Sequence, residues 1–275
     1  MNQTSRAKKG FTLIELVVAI VLLAILGTAV SKFIVFGSEV YTNAARQQSL
    51  LSASRFVVER LSRELRASIP NSIVTFNNDT CIKFRPIKAS GAYRTDVSAT
   101  TAPISPASNA NIDVISWSGS YAANDSFYIY ATSVDDIYNN VDQVAAISSV
   151  AVTTGQADPL YTVTFSTSDS FTDGSPNERY YTADSTVFFC LSAGSIYRYE
   201  VSGADSGESA ATAVTVANNG VLMAENLTNA SDEGPFAYRE GTLLRNSVVN
   251  LYLEFSATEG ENMFFNQEVH IPNVP

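Results

Sequence analysis

The chain has 275 residues, 45% of them hydrophobic and 16% charged, with a formal net charge of −10. That length buries one or two cores, the composition is too apolar for a disordered chain, and the acidic balance argues against a phosphate-binding surface, which needs clustered cations. One His and two Cys are too few for a four-ligand Cys/His zinc site, and any His-based catalytic triad would depend on His270.

Charge is divided unevenly. Through Arg66 there are nine basic and four acidic residues, net +5; the remainder carries eight basic and 23 acidic, net −15. A basic, apolar arm is therefore joined to an acidic, polar head, and the two halves face different surroundings.

Residues 1–10 are polar and basic, with Arg6, Lys8 and Lys9, and an apolar run follows over 11–30. Twenty helical residues span about 30 Å, the hydrocarbon thickness of a bilayer. The basic residues would hold the N-terminus on the cytoplasmic side and leave the head outside. Three readings compete. A secretory signal peptide has a shorter apolar run and a small-residue cleavage site after it; Thr28-Ala29 fits loosely, but Glu15 sits inside the run. A plain signal anchor also leaves Glu15 unexplained, because a carboxylate in a lipid-embedded helix costs about 2.5–3.5 kcal/mol and needs a partner or a function. The third reading supplies both. Gly10-Phe11-Thr12-Leu13-Ile14-Glu15-Leu16 resembles the prepilin signature of type IV pilins and type II secretion pseudopilins.

That resemblance implies cleavage after Gly10 by a membrane prepilin peptidase and methylation of the new N-terminus at Phe11. The apolar helix stays on the mature chain. The freed α-amino group is positive below a reference pKa of about 8. Glu15 would pair with that amine, in the same or a neighbouring subunit, and set the register of helix against helix during assembly. Breaking such a pair in an apolar bundle costs about 3–5 kcal/mol.

No Pro occurs between Phe11 and Pro70, so one long helix is expected over 11–69. Beyond the apolar run, Leu50, Val57, Leu61 and Leu65 recur at spacings of seven, four and four on one face, which should lie against a sheet. Glu59 with Arg63, and Arg60 with Glu64, are i,i+4 pairs. The basic residues here read as a solvated face, with contact to anionic lipid head groups as the functional alternative.

Residues 70–275 read as a β-rich head. Strands are expected at 112–117, 126–132, 146–153, 160–166, 185–191, 195–201, 248–256 and 264–271, from β-branched and aromatic enrichment. Short turns such as Ser192-Ala193-Gly194 favour antiparallel hairpins. Stretches 89–111 and 203–218 read as long loops. The fold class expected is α+β: a long N-terminal helix, transmembrane and then amphipathic, packed on an antiparallel β-rich head.

Other constellations favour plain readings. Asp169 to Glu178 offers oxygen ligands but departs from calcium-loop spacing, so it reads as a polar turn. Asp135-Asp136 and Asp232-Glu233 read as solvated loop charges. His270 beside Glu268 has no identified nucleophile and reads as a surface residue. No catalytic residue, metal site or cofactor is assigned, and no enzymatic activity is expected.

The blocks 56–66, Pro70-Asn71-Ser72, Cys81-Ile82-Lys83-Phe84, 175–181, Val187-Phe188-Phe189-Cys190, Ile196-Tyr197-Arg198-Tyr199 and 268–275 resemble the MshO-like minor pilins of the mannose-sensitive haemagglutinin (MSHA) pilus system. This implies a low-abundance subunit that helps start or cap a pilus. Its partners would be other pilins and minor pilins, the prepilin peptidase and an inner-membrane assembly platform, with no nucleic acid. It would cross the inner membrane once with the head in the periplasm, then move to the pilus or cell surface. A type II secretion minor pseudopilin and a pilus-tip adhesive module are the alternatives. Export to the oxidising periplasm makes a disulfide between Cys81 and Cys190 the expectation, stabilising the fold by up to about 4.7 kcal/mol in the chain-entropy model.

Overall fold

The computed structural model describes residues 10–94, 109–117, 119–139, 143–153, 160–169, 171–203, 220–229, 234–241, 245–256 and 262–272. The chain divides into two compact units, Met1–Leu50 and Leu51–Pro275. The helix α1 (Leu13–Arg66) runs through the boundary between them without a break.

In the first unit α1 is apolar on every side. All its large apolar side chains from Leu13 to Phe36 are 46% to 81% exposed on the isolated chain. It contains a stretch long and apolar enough to cross a membrane. In the second unit the pattern narrows to one stripe. Ser54, Val57, Leu61 and Leu65 are buried there; Leu50, the stripe's expected first member, is the last residue of the first unit and is half-buried. The helix stops at Arg66, where the Leu65 carbonyl accepts from Ser68 N–H at 3.2 Å and from Ser68 Oγ at 2.6 Å, and Pro70 follows two residues on.

The stripe packs into a core shared by two antiparallel sheets. One runs β1 (Val74–Phe76), β2 (Cys81–Phe84), β9 (Ser185–Ser192), β10 (Ser195–Ser202), β11 (Val221–Ala224) in spatial order. The other is β12 (Phe236–Arg239), β13 (Ser247–Ser256), β14 (Asn262–Ile271). Ile82, Phe84, Val187 and Phe189 from the first meet Leu251, Leu253 and Phe255 from the second around Val57, Leu61 and Leu65. On β13 the residues Ser247, Val249, Leu251, Leu253 and Phe255 alternate inward, as a strand with one wet face requires. The sheets touch along both margins. Leu227 bridges Phe255 on one side, and Phe236 N–H donates to the Asp79 carbonyl at 3.2 Å on the other. Gly234 is needed at the second margin, because a Cβ there would lie 2.0 Å from the Asp79 carbonyl carbon.

β3 (Ala89–Ala92), β4 (Asn109–Val114), β5 (Ser126–Ile129), β6 (Val144–Thr153), β7 (Leu160–Asp169) and β8 (Arg179–Ala183) form a third antiparallel sheet, in the order β3-β8-β5-β6-β7-β4. All six lie in sequence between β2 and β9, which are themselves hydrogen-bonded neighbours. The third sheet is therefore an insertion into the first. Cys81 and Cys190 face each other across β2 and β9 and are disulfide-bonded, so a covalent link joins the strands from which the insertion leaves and to which it returns. A short helix, α2 (Val134–Tyr138), follows β5.

Each of the eight expected strands is present with small boundary shifts. The one at 126–132 ends at Ile129 because Tyr130 adopts φ +52°, a left-handed conformation that breaks the ladder. Ala193 and Gly194 at φ +48° and +72° form the expected tight turn between β9 and β10. The loop expected at 89–111 is corrected at both ends. It opens with β3, whose Ala89-Ser90-Gly91-Ala92 pairs with β8, and closes within β4; small side chains concealed the strand. The loop expected at 203–218 lies outside the described residues except for Gly203. The reading of Asp136 as a solvated charge is also corrected. It is buried and caps α2, its Oδ2 accepting from the N–H groups of Thr132 and Ser133 at 2.9 Å each, while Ser133 Oγ accepts from Asp136 N–H. Asp135 is exposed, and Asp232-Glu233 lies outside the described residues.

The inserted sheet has an aromatic core in which Phe127 stacks on Tyr180 at 4.9 Å and packs against Phe165 and Phe171. The Tyr180 hydroxyl donates to the Ser116 carbonyl, and burial pushes its pKa up from 10.0 to about 12.

Leu61→Ala should lower the unfolding free energy by about 2–5 kcal/mol, the cost of emptying a fully buried leucine site. Denaturant titration checks this, and a loss within about 0.5 kcal/mol would place Leu61 outside the core. On the alkaline side, stability from neutral Tyr180 is whole below its unfolded pKa of about 10 and drains away as pH rises toward its folded value. The thermal midpoint should therefore fall between those limits, and Tyr180→Phe should make that fall shallower. An unchanged slope would contradict the assignment.

Candidate functional site

The N-terminal end of α1 brings the motif residues together within one turn. Thr12 precedes the first helical residue, and its carbonyl accepts from Leu16 N–H at 3.2 Å. Thr12 Oγ1 accepts from Glu15 N–H and donates to Glu15 Oε2, both at 3.4 Å. Thr12 thus caps the helix N-terminus, and its hydroxyl also bonds the Glu15 carboxylate three residues on. The signal was readable in Thr-x-x-Glu ahead of an apolar run, and sequence reasoning gave Thr12 no role. Glu15 also favours the helix start through its charge. No charged residue follows it until Lys32.

Phe11 is 74% exposed, and a Cβ added to Gly10 would meet nothing within 4 Å. The chain's own packing therefore places no demand for glycine at position 10. Arg6, Lys8 and Lys9 lie outside the described residues.

Among the described residues the head holds two ion clusters of three or more groups. Glu64 on α1 accepts from Arg60 Nε at 2.9 Å and from Arg198 Nε on β10 at 3.0 Å, and Arg198 Nη1 reaches Glu200 at 2.9 Å. Burial works against the Arg198 charge, but Glu64 and Glu200 outweigh it and hold the guanidinium above its ordinary pKa. This cluster ties the last turns of the helix to the first sheet. Glu59 and Arg63, the other expected pair, are both exposed.

The second cluster sits at the neck of the insertion. Lys88 Nζ is 2.9 Å from both Asp125 and Asp184. Burial pushes the Lys88 pKa down and the Asp184 pKa up; in each case the ion pair prevails, leaving Lys88 raised and Asp184 lowered. An open cleft of about 730 Å³ lies beside it, lined by Asn124, Asp125, Asp184, Ser185 and Glu200 among others. Among the described residues no group of three or more His, Cys, Asp and Glu is arranged to hold a metal. In the 169–178 segment, Phe171 enters the aromatic core and Ser175 bonds Tyr93. His270 is on β14, on the surface, with its Nε2 3.9 Å from Glu268.

Residues 5–31 match the prokaryotic N-terminal methylation motif. No curated protein and no solved structure matches the chain. The matched segment holds Gly10, Phe11, Thr12 and Glu15 and most of the all-round apolar helix, and it implies processing by a prepilin peptidase and assembly with other pilins. The chain thus carries a prepilin-type N-terminus, which supports a type IV pilin-like or pseudopilin-like protein.

Proposed function

We propose that this chain is a minor pilin-like subunit of a type IV pilus of the MSHA kind, acting in pilus assembly or initiation and so in surface attachment. The supporting observation is the methylation motif over 5–31, set on an apolar helix with Glu15 as its acidic residue. Peptidase cleavage after Gly10 exposes Phe11 as the mature N-terminus, which is then methylated. The helix anchors the subunit in the inner membrane, with residues 70–275 in the periplasm, until the subunit enters the filament. The disulfide between Cys81 and Cys190 suits an oxidising compartment.

In this role Glu15 works in two stages. Before assembly its carboxylate rests on the Thr12 hydroxyl. On assembly it meets the Phe11 α-ammonium of its own or a neighbouring chain, and the low dielectric of the helix bundle makes the pair directional. The motif is common to type II secretion pseudopilins, which are the second reading. Deleting the gene and scoring surface pili against secreted proteins separates the two, loss of secretion with normal piliation favouring the pseudopilin.

Mass spectrometry of the protein from cells with the peptidase should find N-methylated Phe11 as the first residue; an intact Met1 terminus would defeat the reading. Glu15→Val should preserve membrane insertion and abolish assembly, as counted by subunit incorporation into sheared pili. Normal incorporation would remove Glu15 from the mechanism.

A further inference from the structure

β14 ends the three-stranded sheet and pairs with β13 over ten residues without a register break. Tyr252 N–H donates to the Pro235 carbonyl at 2.9 Å, Ser256 N–H to the Asn226 carbonyl at 2.9 Å, and the Glu254 carbonyl accepts from Thr228 N–H at 2.8 Å. The even-numbered residues of β13 therefore direct their backbone groups away from β14, and the odd-numbered ones bond it. By the same alternation Met263, Phe265, Gln267 and Val269 of β14 bond inward, while Asn262, Phe264, Asn266, Glu268 and His270 direct N–H and C=O outward. Among the described residues one of these outward groups has a partner, the Glu268 carbonyl, which accepts from the Gln267 side-chain amide at 3.0 Å.

A bare edge strand is a template for another strand, and proteins blunt it with short length, bulges, proline, lysine or a cover. The other edges of this head are blunted. β1 has three residues and β11 four, the latter meeting β10 through a register shift. β12 has four residues and follows Pro235. The margins of the six-stranded sheet close on each other, where Tyr93 bridges Val114 and Ile115 N–H donates to the Ala92 carbonyl at 2.8 Å. β14, by contrast, has ten residues, no lysine, no proline and one carboxylate. Phe264 is 67% exposed on it and stacks on Tyr252, with ring centres 6.4 Å apart.

We propose that β14 is a docking edge for the β14 strand of a second copy of this chain, the two running antiparallel about a two-fold axis at Gln267. In that register Phe264 lies opposite His270 of the second copy and Asn266 opposite its Glu268, so two rings meet and an amide faces a carboxylate. Each is a bonded pair with two backbone hydrogen bonds, and the symmetry repeats both pairs. Moving the axis to Asn266 sets Phe264 against Glu268, and moving it to Glu268 sets two carboxylates face to face, which is destabilising. Beyond Arg66 the chain carries eight basic and 23 acidic residues, yet residues 262–267 carry no charge, so two copies approach along this edge with little repulsion. Pro272, with no N–H, ends the pairing opposite Asn262. The union makes one six-stranded sheet from two of three strands. It rests on the head alone and stands whichever filament the chain joins.

The test uses the full chain in detergent, its dimerisation followed by sedimentation velocity across a concentration series that reaches the micromolar range. Asn266→Pro removes an outward N–H from each copy and leaves the bonds to β13 in place. Phe264→Lys removes the exposed ring and sets a cation opposite His270. Each should raise the dimer dissociation constant by about tenfold or more. Gln267→Cys places two thiols at the axis, on a non-bonded pair whose Cα atoms lie about 4.5 Å apart, a separation that a disulfide spans. Mild oxidation should link Gln267→Cys into covalent dimers much faster than Asn266→Cys, whose two positions are diagonal and about 7–8 Å apart. A wild-type chain that stays monomeric would overturn the proposal and leave the edge to the strand of a different subunit. A dimer that either folded variant fails to weaken would overturn it as well, placing the association in the apolar helix. Phe264 is exposed, so Phe264→Lys keeps that comparison readable should Asn266→Pro fail to fold. Linking at Asn266→Cys as fast as at Gln267→Cys would contradict the two-fold axis.

Discussion

One helix has to satisfy two surroundings. From Leu13 to Phe36 it exposes apolar side chains all round, and from Ser54 to Leu65 it buries a single stripe. The first pattern is unstable in water and stable in lipid or among similar helices; the second is stable only against a sheet. The sequence changes from one to the other with no proline, so the chain cannot part the two tasks with a break. The head core is built around Val57, Leu61 and Leu65. The Glu64–Arg198 pair adds a polar fastening beside that stripe.

The head itself depends on a second constraint. A sheet of six strands is inserted between β2 and β9, two strands that must still pair with each other. Bringing strand partners together across a long connection costs conformational entropy before any contact repays it. Three devices sit where that cost falls. The Cys81–Cys190 disulfide joins the two strands, Lys88 on the outgoing crossing pairs with Asp184 on the returning one and with Asp125 before β5, and Lys83 and Arg85 dock under Tyr138 and Tyr128. The first is covalent, the second is one ammonium between two carboxylates, and the third places cations on aromatic faces.

The sequence made the locally encoded features legible. The apolar run, the Leu61-centred stripe, the longer strands and the Ala193-Gly194 turn all have short-range signatures, and each is present. Hidden were the short strands β1, β2, β3, β8, β11 and β12, three to five residues each, too brief to show a period. The link between β2 and β9, 109 positions apart, was legible only in the expected Cys81–Cys190 disulfide, because no local pattern records a strand partner so distant. Two caps have short-range signatures, Thr12 with Glu15 and Ser133 with Asp136, but an acid in such a pair looks the same in sequence as a solvated charge. Arg85 carried no signal at all. A lone arginine before a proline looks like surface until the insertion closes over it.

The proposed role concentrates on Glu15, the acidic group that this apolar segment carries toward other helices. Its most direct test is solid-state NMR on filaments containing the mature subunit, labelled with ¹³C at the Glu15 carboxyl group and ¹⁵N at the Phe11 amine. The expected result is an ionised carboxylate with an amine nitrogen within about 4–6 Å, the range over which an opposite charge holds it ionised. A protonated Glu15 carboxyl group with no labelled nitrogen in range would contradict the account.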